Sequence, residues 1–411
     1  MRTTYQSLAA AALVLALVPL SAQTPPTVAI RAGRLIDADA GTVALNQIIL
    51  VTGPRITAVG PNVAIPAGAS VVDLSNATVL PGLFDVHTHL CMSTKPDRDN
   101  GNYYFTTLLD PDSMRAVEGV ANARAMLDAG FTSVRDVGNE GSYACVSVKR
   151  GIDRGLVPGP SMQTAGRIIA PFGGQFHLQP DKPALATPEY AFADTRDEMR
   201  KMIRENIHYG ATVIKIVVDD QRYIYSVEDI RFMKEEAADA GVRLAAHAWT
   251  ERGARRAAEA GVTSIEHGPE MSDETLALVK ERGVVLVGTD YLSLREGGGG
   301  PWADRLKRAH AMGVTMAYGT DVIDEVPGQT RGTEAMRGIE VWMQAGVPPK
   351  ALLQAMTGNA ARLMGLEKVR GAIRPGLAAD VIATRQNPLD DASALKQVVF
   401  VMKNGRVIKG G

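Results

Sequence analysis

His87 and His89 stand two residues apart in Asp85-Val86-His87-Thr88-His89, at the end of the apolar run Val79–Phe84. Side chains two apart in a strand share a face, so both imidazoles would leave one strand end together, as two ligands of a metal ion do. Alone, the pair does not separate a metal site from an ordinary H-x-H. A metal site requires further ligands at the ends of later strands. They are present: His247 in Ala245-Ala246-His247-Ala248-Trp249, His267 in Ile265-Glu266-His267-Gly268, and Asp321 in Gly319-Thr320-Asp321. Four of the seven histidines thus follow apolar runs, and imidazole and carboxylate are ordinary ligands for zinc and neighbouring metals. Lys215 sits inside Val213-Ile214-Lys215-Ile216-Val217. A buried ammonium there is costly unless paired or modified, and desolvation would lower its pKa and make the amine nucleophilic. A snorkelling or ion-paired lysine is the alternative.

The elements that must position these groups follow from periodicity. Short apolar strands are expected at Leu83–His89, Thr132–Asp136, Met162–Ile169, Thr212–Val217, Arg243–His247, Thr263–His267, Val284–Val287 and Thr315–Tyr318. Amphipathic helices are expected between them, at Pro111–Ala129, Thr195–Tyr209, Ser226–Ala240, Glu251–Ala260 and Ser272–Arg282. Three of these stop at Ala-Gly, where glycine supplies the left-handed C-terminal residue. The alternation predicts an α/β fold, a (β/α)8 TIM barrel over 80–366, with its site at the C-terminal strand ends. A doubly wound sheet is the alternative, but no Gly-rich dinucleotide loop follows the first strand. Residues 27–79 and 367–411 are β-rich, with Asn404-Gly405 as a hairpin turn, and predict one small β-sandwich built from both chain ends.

A net charge of −1 gives no bulk attraction to nucleic acid or an anionic membrane. Residues 1–22 read as a signal peptide: Arg2, the apolar run Leu8–Leu20, then Ser21-Ala22-Gln23, too short to span a bilayer comfortably. An uncleaved anchor is the alternative. Cleavage after Ala22 would leave a periplasmic or secreted enzyme with no membrane segment. In that oxidising setting Cys91 and Cys145 could lie on neighbouring loops and form a disulfide.

The Pro81-Gly82-Leu83-Phe84-Asp85-Val86-His87-Thr88-His89 opening and the ending Gly371–Asp380 resemble the amidohydrolase superfamily, in its imidazolonepropionase-like and prolidase-like metallo-dipeptidase branch. The resemblance spans the mature chain. It implies two divalent metal ions, zinc in the first instance: His87, His89 and Asp321 on one, His247 and His267 on the other, and Lys215 bridging as an N6-carboxylate. Lys215 favours the dipeptidase-like side, because imidazolonepropionase uses one metal and lacks that lysine. The implied chemistry is amide hydrolysis by metal-activated water, with Asp321 as base and then acid. The resemblance also gives His177 a substrate-facing role beside the carbonyl oxygen.

Tyr291, Tyr223 and Arg222 are candidates for a substrate carboxylate, with surface residues as the alternative. Gly297–Gly300 is either a flap or a slack connection, and His208 and His310 fall in helical stretches as non-catalytic residues. The expected substrate is a dipeptide or N-acyl amino acid. A cyclic amide, lactone, carbamate or xenobiotic amide would suit the same site, since loops choose the substrate. A non-catalytic binding protein is disfavoured by a carboxylate placed beside the metal. Homo-oligomerisation stays open.

Overall fold

Both ends of the chain meet in one sheet. The computed structural model describes residues 26–410, without the side chains of Arg295 and Glu296; the expected signal peptide lies outside these residues. β1 (Thr27–Asp37), β2 (Thr42–Thr52), β3 (Arg55–Gly60) and β4 (Ser70–Pro81) come from the N-terminal side. β14 (Val381–Thr384), β15 (Val398–Lys403) and β16 (Arg406–Lys409) come from the C-terminal side. They assemble in the order β16-β15-β14-β4-β1-β2-β3. Where a two-sheet sandwich was expected, a single sheet of seven strands carries both ends. A Cβ on Gly405, in the β15–β16 turn, would stand 1.9 Å from Gly53 O, in the β2–β3 turn, so the sheet curls to bring these strands together over one buried cluster that includes Ile49, Val51, Phe400 and Met402. The Asn404-Gly405 turn has φ values of 47° and 77°, the left-handed pair a two-residue hairpin needs.

β4 runs into the α/β region through Pro81-Gly82. A Cβ on Gly82 would stand 2.2 Å from Thr132 Oγ1, so only glycine lets the chain pass this close to the next strand. Beyond it follow β5 (Leu83–Thr88), β6 (Phe131–Asp136), β7 (Ser161–Thr164), β8 (Ile168–Ala170), β9 (Tyr190–Phe192), β10 (Val213–Val217), β11 (Arg243–Ala248), β12 (Ser264–His267) and β13 (Val285–Val287). They pair in parallel, as β5-β6-β7 and as β13-β12-β11-β10-β8-β9. Every residue of β5 and β10 is buried, the pattern of parallel strands covered on both faces. Thr212 N donates to Thr164 O at 2.8 Å and links the two sheets on one side. On the other, Leu286 N donates to Thr315 O at 2.9 Å and Val86 N to Tyr318 O at 2.9 Å, so segment 315–318 stands between β13 and β5. This succession is consistent with a TIM-barrel-like domain.

Two expected strands take other forms. Met162–Ile169 is divided into β7 and β8, because Gly166 turns at φ 69° and Asn206 Nδ2 clamps the turn through Arg167 O at 2.8 Å. Thr315–Tyr318 is reduced to an isolated bridge between Leu286 and Met316, since Tyr318 N turns away to Ala355 O. The helices start where hydroxyl caps place them: Thr195, Ser226, Thr250 and Ser272 each accept a first-turn amide. Among the described residues no helix is long and apolar enough to cross a membrane.

Candidate metal centre

The parallel strands deliver six chemical side chains to one cavity. His87 leaves β5 and His89 the loop directly after it; Lys215 sits in the middle of β10, His247 in β11, His267 at the end of β12, and Asp321 beyond segment 315–318. All six line a cavity of about 120 Å³, whose remaining wall includes Tyr103, Asn139, Gln175 and Trp249. The imidazoles form a chain: ring centres lie 5.3 Å apart for His89 and His87, 4.9 Å for His87 and His267, and 4.5 Å for His267 and His247. Asp321 Oδ1 is 3.1 Å from His89 Nε2 and 3.8 Å from His87 Nε2. Ligand atoms of His87, His267 and Asp321 all fall within 4.8 Å of one another.

Three of the four rings are oriented from behind. His87 Nδ1 pairs with Glu266 Oε2 at 2.7 Å, His89 Nδ1 with Gly138 O at 2.7 Å, and His267 Nδ1 with Thr289 Oγ1 at 2.9 Å. Such partners fix ring orientation and leave the opposite nitrogen for a ligand. Glu266 is wholly buried and also accepts from Arg135 Nη2 at 2.8 Å and from Ser264. Asp85 fixes the turn that carries Asp321: it accepts from Thr320 N at 3.1 Å and Thr320 Oγ1 at 2.6 Å. Asn139, Asp220, His267, Thr289 and Asp321 all have positive φ, a conformation non-glycine residues keep only when the surroundings hold them.

Burial and charge set the protonation states. Burial, reinforced by Lys215, pulls His87 down to about 4 and drives His267 well below its ordinary value, so both are neutral near pH 7. Burial opposes protonation of His89 as well, but the hydrogen bond and charge of Asp321 outweigh it and raise its pKa. Asp321 itself is lowered, because His87, His89 and Lys215 together exceed the desolvation that would raise it. Lys215 is brought down to about 8 by burial, against the pull of Glu266 and Asp321. Neutral imidazole at His87 and His267, ionised carboxylate at Asp321 and a lysine partly available as free amine are the forms that metal ligation and carboxylation require.

The model of the amidohydrolase family matches residues 78–410. This chain belongs to the amidohydrolase family. Ochratoxinase of Aspergillus niger is 29% identical over 429 aligned positions, covering 93% of this chain and 86% of that protein. Imidazolonepropionase of Symbiobacterium thermophilum is 27% identical, covering 80% and 81%. Among solved structures, a Xaa-Pro dipeptidase with methionine bound in its active site superposes with a TM-score of 0.82 at 27% identity, over 93% of this chain and 100% of that one. The protein is a hydrolytic enzyme of α/β fold.

Amidohydrolases generally bind divalent metals, and the residues present fit one. His247 Nε2 is buried with no hydrogen-bond partner, an arrangement that is unfavourable unless another ligand completes it. Other sequence expectations land elsewhere. Tyr291 is buried and donates its hydroxyl to Glu334 Oε2 at 2.7 Å, away from the cavity. Tyr223, 52% exposed, donates to Phe172 O, and Arg222 is exposed outside the cavity lining. None of the three is among the residues lining the cavity. His177 is exposed and outside the lining, near enough for its charge to act on Asp220. His208 and His310 lie in helices Arg196–Tyr209 and Gly300–Met312. Cys91 and Cys145 are disulfide-bonded, with Cα atoms 5.8 Å apart. Glu266, Asp85 and Arg135 were not anticipated. The only sequence trace of Glu266 is an acidic residue inside an apolar strand, directly before a candidate ligand.

Proposed function

We propose that this amidohydrolase cleaves the amide C–N bond of a small substrate, a dipeptide or an N-acyl amino acid, at a centre of two divalent ions, zinc by ligand chemistry. The carrying observation is the convergence of four imidazoles, Asp321 and Lys215 on one cavity. Similarity to a Xaa-Pro dipeptidase supports the bond type. In this reading residues 80–366 form a (β/α)8 barrel, with 27–79 and 367–411 as the small accompanying domain. His87, His89 and Asp321 would hold one ion and His247 and His267 the other, with Lys215 as N6-carboxylate between them. When bound, the ions supply Lewis acidity and lower the pKa of water toward neutrality.

The chain's own residues do the rest. Asp321, ionised and with Oδ1 turned to His89, accepts the proton of the attacking water at Oδ2 and delivers it to the leaving nitrogen. Trp249 and Tyr103 form part of the cavity wall beside these groups. The products are a carboxylic acid and an amine.

One observation favours a second reading of the substrate. Apart from histidines, Lys215 is the only cationic side chain lining the cavity among the described residues, so no arginine or second lysine there offers an ion pair to a free substrate carboxylate. A neutral amide, cyclic amide, lactone or carbamate would suit that wall. The Cys91–Cys145 disulfide supports a periplasmic or secreted location for an exported chain.

The test is metal analysis of the purified protein followed by a substrate screen of the zinc-loaded enzyme. Close to two metals per chain are expected. Lys215→Ala should lose metal and turnover, with partial rescue by bicarbonate or short carboxylic acids. N-acyl amino acids tested beside their neutral carboxamides separate the two substrate readings. A fully active metal-free enzyme would refute the proposal.

A further inference from the structure

Two consecutive aspartates, Asp219 and Asp220, follow β10 and face His247, and the mechanism above uses neither. Each of the three residues places a ligand atom within 4.8 Å of the others. Asp219 is fully engaged elsewhere. Its carboxylate accepts from Trp249 N at 2.9 Å, from Thr250 N at 2.8 Å and from Thr250 Oγ1 at 2.8 Å, at the start of helix Glu251–Ala260. A Cβ on Gly253 would stand 2.1 Å from Asp219 Oδ2, so glycine at 253 is what leaves space for that carboxylate against the helix.

Asp220 differs. Its Oδ2 lies 2.8 Å from His247 Nε2, yet that nitrogen, on a side chain only 4% exposed, makes no hydrogen bond. The two atoms are close but not aligned as donor and acceptor. Two ligands each about 2.0–2.2 Å from one ion stand roughly 3 Å apart and point at the ion rather than at each other. The observed pair has that separation. The carboxylate is also held from behind: Gln175 Nε2 donates to Oδ2 at 2.7 Å, while Gln175 Oε1 accepts from Tyr190 Oη at 2.7 Å. Asp220 keeps φ at 81°, a backbone conformation that needs such support in an aspartate. Ligating carboxylates are supported by outer hydrogen bonds of this kind.

We propose that Asp220 is a further protein ligand of the metal centre, on the divalent ion that His247 holds. This rests on the reading of the site as a two-metal centre. The added oxygen takes that ion to a higher coordination number and leaves Asp219 as the residue that positions the loop. Gln175 is then a positioning residue, acting through Asp220.

The experiment is titration of the metal-free full-length enzyme with zinc by calorimetry, and with cobalt followed by visible absorption. Two equivalents are expected for the unmodified protein. Asp220→Asn should weaken one equivalent by about 10–100-fold and change the cobalt spectrum of that ion, leaving the other equivalent in place. Asp220→Gly removes the carboxylate at a φ that glycine accepts, so it tests the same loss without threatening the fold. Either variant binding both equivalents with unchanged affinity and spectrum would overturn the proposal. An unmodified enzyme that binds no metal would instead remove the two-metal reading beneath it.

Discussion

Glu266 joins three groups that otherwise have little in common. It orients His87, pairs with Arg135 and contributes to the field at Lys215, all from a wholly buried position. Glu266→Gln keeps the shape and removes the charge. Zinc affinity should fall by about 10–100-fold through the freed His87 ring. Stability should fall by about 3–5 kcal/mol, because Arg135 is left buried without its counter-ion. Zinc titration and urea unfolding check the two effects separately, and unchanged zinc affinity would show that His87 is oriented by other means. Glu140 behaves in the opposite way. Burial pushes its carboxyl well above the ordinary value, and neither oxygen has a hydrogen-bond partner. Above about pH 4.3 the unfolded chain gives up this proton while the folded chain keeps it, so the native state binds more protons and stability falls as pH rises. In Glu140→Gln that slope disappears. Its stability relative to wild type should be lowest near pH 4 and climb toward pH 7 in urea melts; a constant difference would refute the shift. Residues of this kind were hidden in the sequence for a physical reason. A ligand histidine announces itself by its type at a strand end, whereas Glu266 works through His87, 179 residues away, and Arg135, 131 residues away.

The strand-to-loop junctions are the elements that aim the site. Asp321 N donates to His87 O at 2.9 Å, so the turn after segment 315–318 lies directly against β5. Gly319 makes that contact possible: a Cβ there would meet Val287 Cγ1 at 2.5 Å and His87 Cβ at 2.7 Å. Gly319→Ala should destabilise by about 1–3 kcal/mol through overpacking. It should also reduce kcat by up to about a hundredfold, because the displaced turn carries Asp321. Thermal melts and turnover assays check both, and normal activity with normal stability would show that the turn has slack. Strands Leu83–Thr88, Val213–Val217, Arg243–Ala248 and Ser264–His267 were legible because each sets apolar residues before or around a chemical residue at a strand end or centre. The third and eighth strands were not legible in detail. Apolar content at 162–169 says nothing of the turn at Gly166, and at 315–318 nothing of the competing bond from Tyr318 N to Ala355 O. Likewise, alternation in the two chain ends predicted all-β structure but could not choose between two stacked sheets and one that curls.

At the scale of the whole molecule, the disulfide ties the loop after β5 to the chain that follows β6. Cys91 is two residues past His89, Cys145 lies in helix Ala144–Asp153, and 54 positions separate them. Closing a loop of that length removes unfolded-state entropy equivalent to about 4 kcal/mol at 25 °C. The pair is buried and lies against Gly119, where a Cβ would stand 2.5 Å from Cys91 Sγ, so the surrounding helices leave little room for two separated thiols. Protein recovered from an oxidising compartment should therefore show no free thiol after denaturation, and both thiols after reduction. The reduced form, or Cys91→Ser with Cys145→Ser, should unfold at lower urea by an amount that corresponds to a few kcal/mol. Zinc stoichiometry should be retained, since neither sulfur faces the cavity. Retained metal with lowered stability would place the crosslink in the scaffold; loss of metal on reduction would mean that the loop after His89 depends on the bond to hold its ligand in place.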